Sequence, residues 1–135
     1  MTLLKEWFHM SNSNKVERYW IKSEKYYNNA LKHAAHGEFS KASELLWGAV
    51  TQSLRALAAM RGIYIKSHKG YSSLTFSLSQ ELKDREFHKA FKFLEDLHEN
   101  FYEEKIDPKD FPMYREEADY FLKKTKEIAK KVQTK

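Results

Sequence analysis

Residues 39–61 are an unusually apolar stretch, and they limit the folds that the chain can adopt. Placed on an α-helix at about 100° per residue, five of their polar side chains fall within a single arc of about 100°. The members of this polar arc are Lys41, Glu44, Thr51, Gln52 and Arg55. Nearly all of the remaining circumference is apolar or small, which is typical of a helix that other helices surround. The stretch therefore predicts the central helix of an all-α fold, with the polar arc left for solvent or a second subunit.

Apolar residues at helical spacing predict four more helices around the central one. The expected bounds are Ser13 or Asn14 to Gly37 for the first helix, Ser72 or Ser73 to Asp84 for a shorter third, residues 85–104 for the fourth, and Asp110 onward for the last. We therefore predict an antiparallel up-and-down bundle of four long helices plus one short helix, forming one domain of residues 13–135. Residues 1–12 are expected to form an apolar N-terminal arm, which packs on its own bundle or on a second subunit. Phe93 lies off the apolar stripe of the fourth helix and is predicted to be exposed.

The composition excludes several kinds of site and places the net charge at one end of the chain. Because the 135 residues include no Cys, the chain has no disulfide, thiolate zinc site or Cys nucleophile. No apolar run approaches the roughly 18 residues of a membrane span, and the N-terminus lacks the pattern of a signal peptide, so we expect a cytoplasmic protein. Residues 121–135 hold six Lys and one Glu, which accounts for the whole net charge of +5. The Lys and Glu content is compatible with a thermophile.

Three stretches of sequence resemble a known superfamily. They are GEFSKASELLWGAV at residues 37–50, RALAA at residues 55–59 and LHENFY at residues 97–102. In this order the chain resembles the HEPN superfamily of small helical domains, and most of all its archaeal PaREP-type branch. The resemblance covers about residues 16–132 and implies a four- or five-helix bundle that commonly dimerises.

The resemblance argues against carrying over the ribonuclease activity of many HEPN domains. Their metal-independent nucleases have an Arg, four to six residues and then a His, late in the domain. Here the late pair, Arg85 and His88, has only two residues between its members. Arg61 and His68 have six residues between them, but they lie at the end of the central helix and in the following loop.

The preferred interpretation is a small HEPN-like binding or accessory module that is not an enzyme and forms a homodimer. One alternative is a ribonuclease or toxin-like HEPN enzyme. Another is a partner of a minimal nucleotidyltransferase, or a nucleotide-binding bundle, because other HEPN domains are non-catalytic partners of such enzymes. A protein partner of the nucleotidyltransferase or toxin–antitoxin type is a further alternative. We expect the chain to bind no cofactor.

His98 and Tyr102 are the candidate catalytic residues. They are four residues apart on the fourth helix and therefore lie side by side. With Glu95 or Glu99 they could carry out general acid–base chemistry. The structural alternative, which we favour, is a core or interface histidine that hydrogen-bonds a neighbour.

The loop after the central helix contains candidates for phosphate or nucleotide binding. Arg61, His68 and Lys69 could clamp a phosphate, although a solvated basic loop is the more common reason for such residues. If the chain has a functional site, we expect it where this loop meets the fourth helix near His98.

The first helix carries a basic arc that could contact a nucleic-acid backbone. Its members within about 100° include Lys15, Arg18, Lys22, Lys25 and Lys32, and no acidic residue lies among them. Because residues 81–119 are rich in acids, nucleic acid is not the favoured partner. On the same helix His33 and His36 have a spacing that metal sites use, but only Glu38 could serve as a third ligand, so we predict no metal site.

Overall fold

The computed structural model describes the backbone of residues 2–133 and the side chains of residues 14–131 except Tyr102. The helices are α1 (Thr2–Ala35), α2 (Phe39–Met60), α3 (His68–Leu82), α4 (Arg85–Glu103) and α5 (Phe111–Gln133), with a single 3₁₀ turn at Pro108–Asp110. No strand occurs within the described backbone, and the predicted all-α class is confirmed. Over the same residues no helix is both long enough and apolar enough to cross a lipid bilayer.

The central helix is α2, as its sequence predicts. Leu46, Val50 and Leu54 have no solvent-exposed surface, because α1 covers one side of α2 while α4 and α5 cover the other. Burying one such side chain stabilises the fold by about 1.5–3 kcal/mol. Across the core, the rings of Phe87 and Phe121 stack with centroids 4.6 Å apart and join α4 to α5.

Three neighbouring pairs of helices are antiparallel. Along α1/α2, α2/α4 and α4/α5, residue numbers that rise in one helix fall in its partner. The contacting residues are Ser23–Ala49 and Tyr26–Gly48 for α1/α2, Ser43–Asn100 and Trp47–Phe91 for α2/α4, and Phe87–Phe121 and Phe93–Tyr114 for α4/α5.

Helix α3 departs from the up-and-down alternation that the sequence predicts. Along its contacts with α2 and with the residue that follows α2, residue numbers increase in both segments together. The contacts are Trp47–His68, Arg55–Tyr71 and Arg61–Glu81. Therefore α3 runs in the same direction as α2, and residues 62–67 carry the chain back along α2 before α3 begins. Ile65 is buried in this returning segment and holds it against the core.

Two helix ends agree with the sequence and two helix starts do not. Gly37 and Gly62 follow α1 and α2 with φ of +77° and +71°, in the left-handed region that ends helices. In contrast, α3 begins at His68 rather than at Ser72 or Ser73, because His68 is held by a contact with α4. Helix α1 runs unbroken from Thr2, so the predicted break and cap at residues 11–14 are absent. The side chains of the predicted arm lie outside those described, so its packing stays a prediction.

Part of the polar arc of α2 is covered by α1 and α3, which corrects the prediction for those residues, whereas Lys41 is exposed. Gly48 faces α1 so closely that an added Cβ would lie 3.0 Å from the ring of Tyr26. Thr51 is buried, and Arg55 lies under the ring of Tyr71 from α3. The prediction for Phe93 is also wrong: its ring is partly buried and stacks on Tyr114, with centroids 4.4 Å apart.

Candidate functional site

Three helices bring two histidines together beside the middle of α2. Helix α2 contributes Glu44 and Trp47, the first turn of α3 contributes His68, and α4 contributes Glu95 and His98. We call these five residues the two-histidine face. This face lies at the junction between the segment after Arg61 and the fourth helix, which is where the sequence predicts a site if the chain has one.

The two imidazole rings share one aromatic floor. The indole of Trp47 is 5% exposed, and its centroid lies 5.7 Å from His68 and 6.0 Å from His98, each ring tilted by 29° from it. The imidazoles are 6.4 Å apart and nearly parallel, at 21°. Phe91 supports the indole from the core, with centroids 5.4 Å apart. The rings of His68 and His98 are therefore held in place while a large part of each side chain stays exposed.

Each histidine is paired with a carboxylate from a different helix. Nδ1 of His98 lies 2.9 Å from Oε2 of Glu44, and Nε2 of His68 lies 2.6 Å from Oε2 of Glu95. A neutral imidazole donates through the nitrogen that faces a carboxylate, so these contacts select Nδ1–H in His98 and Nε2–H in His68. The carboxylates thus orient both rings and fix their tautomers.

Glu95 is the most strongly held charge of the face. Partial burial raises the pKa of its carboxyl, but hydrogen bonds from Lys92 and His68 outweigh burial and set the pKa below its ordinary value. The Lys92 ammonium lies 2.7 Å from the second carboxylate oxygen of Glu95. Glu95 therefore remains ionised and holds Lys92 in an ion pair.

A buried amide anchors the end of α4 next to His98. Asn100 is 1% exposed, its side-chain nitrogen donates to the hydroxyl of Ser43 on α2 at 2.9 Å, and its oxygen accepts from the backbone N–H of Ile106. These bonds fix the register of α4 against α2, which sets the distance between His98 and Glu44.

The structure does not bring Arg61 and His68 together. The guanidinium of Arg61 makes two parallel hydrogen bonds to Glu81, at 2.9 and 2.8 Å. Glu81 stands 13 residues after His68 on the same helix, a separation of about 20 Å along the axis. Arg61 and His68 are therefore too far apart to clamp one phosphate as predicted. Lys69 is an exposed residue of the first turn of α3.

The carboxylate partners of His98 differ from those that the sequence suggests. His98 contacts Glu44 on α2, whereas Glu95 contacts His68, and Glu99 contacts Lys105 at 2.9 Å. The side chain of Tyr102 lies outside the described residues, so the His98–Tyr102 pairing stays a prediction.

The remaining candidates lie on α1, away from the two-histidine face. All members of the basic arc are exposed, namely Lys15, Arg18, Lys22, Lys25 and Lys32. The ammonium of Lys15 lies 5.4 Å from the ring centroid of Tyr64. His33 contacts Glu38 at 3.1 Å, and His36 contacts the carbonyl of Lys32 at 2.7 Å. Among the residues described, no group of three His, Cys, Asp or Glu side chains is placed to hold a metal ion.

Sequence reasoning missed Glu44 and Trp47 as members of the site. Both lie in α2, where the sequence pattern puts Trp47 in the apolar part of the helix and Glu44 in the polar arc left for solvent or a second subunit. One signal was present: Glu44 is the only acidic residue of that arc. A carboxylate on a helix that other helices surround is usually paired where it becomes buried, so Glu44 was a candidate for a partner on a neighbouring helix.

The comparison with protein families assigns this chain. It belongs to the archaeal PaREP1/PaREP8 family, whose model matches residues 18–130 and so includes the whole two-histidine face. This match confirms the PaREP-type resemblance. No curated protein matches the chain.

Proposed function

We propose that this member of the archaeal PaREP1/PaREP8 family is a HEPN-like helical bundle that acts as a binding or accessory module rather than as an enzyme. The binding surface is the two-histidine face, and its occupant is a second copy of the chain. The observation that carries the proposal is that the charged side chains of this face, with Lys92, are already paired within the chain.

This pairing weakens the case for catalysis on phosphate esters. Cleavage of a phosphodiester needs cations or donors that stabilise the extra negative charge of the transition state. Lys92 is held by Glu95, and Arg61 is bound by Glu81 at the far end of α3. Neither cation is available beside the two imidazoles unless its own ion pair breaks.

A surface of small net charge with exposed rings suits an interface between two copies, and with neutral imidazoles the two carboxylates and Lys92 leave this face with a net charge of only −1. In a two-fold dimer one patch meets itself, so a patch with a large net charge would repel its copy. The side chains of His68 and His98 are 50% and 39% exposed over the buried Trp47. Held rings supply contact area with little loss of conformational entropy. The HEPN resemblance, which implies dimers, points the same way.

Light scattering of the purified chain at micromolar concentration tests the proposal. We expect twice the chain mass of 16.1 kDa for the wild type and the monomer mass for the double variant His68→Ala/His98→Ala. The matched control, His33→Ala/His36→Ala, removes two histidines from α1 and should remain dimeric. A monomeric wild type, or a dimer that survives the loss of His68 and His98, contradicts the proposal.

A second candidate function is favoured by one observation, the spacing of the two imidazoles. Rings 6.4 Å apart, each oriented by a carboxylate, could act as base and acid on the two oxygens of one phosphodiester. A single-stranded RNA carrying a fluorophore and a quencher, incubated with EDTA, tests this chemistry. Turnover that falls by about 100-fold or more in both His68→Ala and His98→Ala would replace the accessory role with metal-independent RNA cleavage.

A further inference from the structure

A cleft lies at the N-terminal end of α4, between the last turns of α3 and the first turns of α4. Its volume is about 590 Å³, within the range of clefts that hold small molecules. The side chains that matter for its chemistry are Phe76, Gln80, Lys83, Arg85, His88 and Lys89. We call it the basic cleft.

The basic cleft carries three cations and no lining carboxylate. Within the described part of the chain, neither Lys83 nor Arg85 has a carboxylate oxygen within 4.0 Å. Lys89 contacts Glu86 at 3.7 Å, but both side chains are about two-thirds exposed, and such pairs contribute little. The cleft therefore favours an anionic ligand.

The acid between two of these cations in sequence is already engaged elsewhere. Asp84 stands between Lys83 and Arg85, yet its side chain accepts a hydrogen bond from the N–H of Glu86 at 3.1 Å and caps α4. The same carboxylate contacts the ammonium of Lys124 on α5 at 3.1 Å. Asp84 thus stabilises the start of α4 and the α5 contact, and it does not neutralise the cleft.

An exposed aromatic ring lies among the cations. Phe76 is 50% exposed, and its ring stands nearly perpendicular to the imidazole of His88, with centroids 5.5 Å apart. Such a ring can stack on a nucleobase, an interaction that proteins use together with cationic contacts to phosphates. Gln80, one turn further along α3, is exposed and offers an amide that can pair with the edge of a base.

We propose that the basic cleft binds a nucleoside phosphate, either as a free nucleotide or as one unit of a single-stranded nucleic acid. The base stacks on Phe76 beside the amide of Gln80, and the phosphates contact Lys83, Arg85 and Lys89. A purely inorganic anion would use the cations and leave the ring exposed, so the contribution of Phe76 separates the two ligand classes.

Isothermal titration with three probes tests the proposal: ATP in EDTA, inorganic tripolyphosphate and a short oligothymidylate. We expect ATP or the oligonucleotide to bind at least about tenfold more tightly than tripolyphosphate. The variant Phe76→Ala should remove that preference, since one stacked base contributes a difference of this size. Equal binding of ATP, oligonucleotide and tripolyphosphate, or no binding of any of them, overturns the proposal.

A charge-matched pair of variants locates the site. Arg85→Gln/Lys89→Gln should weaken binding and lower the salt dependence of log K by about one or more, because about two phosphate contacts are lost. Lys22→Gln/Lys25→Gln removes the same charge from α1, on another part of the molecule, and should leave binding unchanged. If the α1 variant weakens binding and the α4 variant does not, the proposal is wrong.

The probes also identify the source of the ligand. Oligonucleotide binding with a steep salt dependence indicates a single strand, whereas comparable binding of ATP indicates a free nucleotide. The cleft is separate from the two-histidine face, so Phe76→Ala should leave the dimer mass unchanged. Failure of this proposal and failure of the dimer proposal are therefore distinguishable.

Discussion

The two-histidine face and the basic cleft use similar residues in opposite ways. Both set imidazoles of α3 or α4 against an aromatic ring, Trp47 in the face and Phe76 in the cleft. In the face each histidine meets a carboxylate, and the aromatic ring is buried. In the cleft His88 lies among cations, and the aromatic ring is exposed. Neighbouring charges and burial, rather than the residue types alone, therefore decide which surface pairs its charged groups within the chain and which attracts anions.

Lys92 lies between the two regions and affects both. Burial lowers the pKa of the His88 imidazole, and the nearby charge of Lys92 lowers it further, against the opposing effect of Glu95. The same ammonium helps to lower the pKa of Glu95. One cation thus favours the neutral form of the histidine in the cleft and the ionised form of the carboxylate in the face.

The largest expected difference between the two regions is in stability. Trp47→Ala should lower the free energy of unfolding by about 3–5 kcal/mol, because it removes a buried ring that contacts Phe91 and both histidines of the face. Phe76→Ala should cost less than about 1 kcal/mol, since that ring is half exposed. Urea denaturation of both variants measures the difference. Equal losses would remove the contrast between a buried floor and an exposed ring.

A smaller effect, with a defined pH dependence, is expected at Glu95. Glu95→Gln should lower the free energy of unfolding at pH 7 by about 1 kcal/mol, because it removes charged hydrogen bonds to His68 and Lys92. The pKa of this carboxyl is lower in the fold than in the unfolded chain. Its contribution is therefore complete above the ordinary value of 4.5 and is lost as the pH falls through the lowered pKa.

The control for Glu95 is an exposed carboxylate of the same helix. Glu86→Gln breaks a solvent-exposed pair at 3.7 Å and should change stability by at most a few tenths of a kcal/mol. Urea denaturation at pH 7 and at pH 3 compares the two variants with the wild type. A loss for Glu95→Gln that persists unchanged at pH 3 would show that its effect is steric rather than ionic.

The smallest effect tests the shared role of Lys92. Lys92→Gln removes a positive charge that lowers two pKa values, so the pKa of both His88 and Glu95 should rise towards their ordinary values. Proton NMR titration of the imidazole C2–H resonances, with His88→Asn for assignment, measures the pKa of His88. Titration of the carboxyl resonance measures the pKa of Glu95. If the pKa of His88 stays where it is, the two regions are electrostatically independent.

Some local features of the fold could be predicted from the sequence because they depend on neighbouring residues. The bounds of α2 follow from Gly37, Gly62 and the apolar run between them. The capping role of Asp84, in contrast, was not predicted, although its hydrogen bond to the N–H of Glu86 is just as local. The sequence also identified His68 and His98 as separate candidates, and it indicated the junction between the loop after Arg61 and the fourth helix.

The long-range features could not be predicted from helical periodicity. Glu44 and His98 are 54 residues apart, and their pairing depends on the register between α2 and α4 that Asn100 and Ser43 fix. The direction of α3 depends on residues 62–67 returning along α2, which no repeat of apolar residues encodes. Phe93 lies off the apolar stripe of α4, and its stacking partner Tyr114 belongs to α5, which the pattern of α4 alone does not show.

The helix–helix contacts indicate the order in which α3 and the α1–α2 hairpin form during folding. Helices α1 and α2 are joined by a turn of three residues and share the most extensive helix–helix contact, so this hairpin closes a short loop at little entropic cost. Helix α3 gains most of its contacts only after α4, later in the chain, is in place. We therefore expect the α1–α2 hairpin to form early and α3 to dock late. In native-state hydrogen exchange, the amides of α3 should open at lower free energy than those of α2.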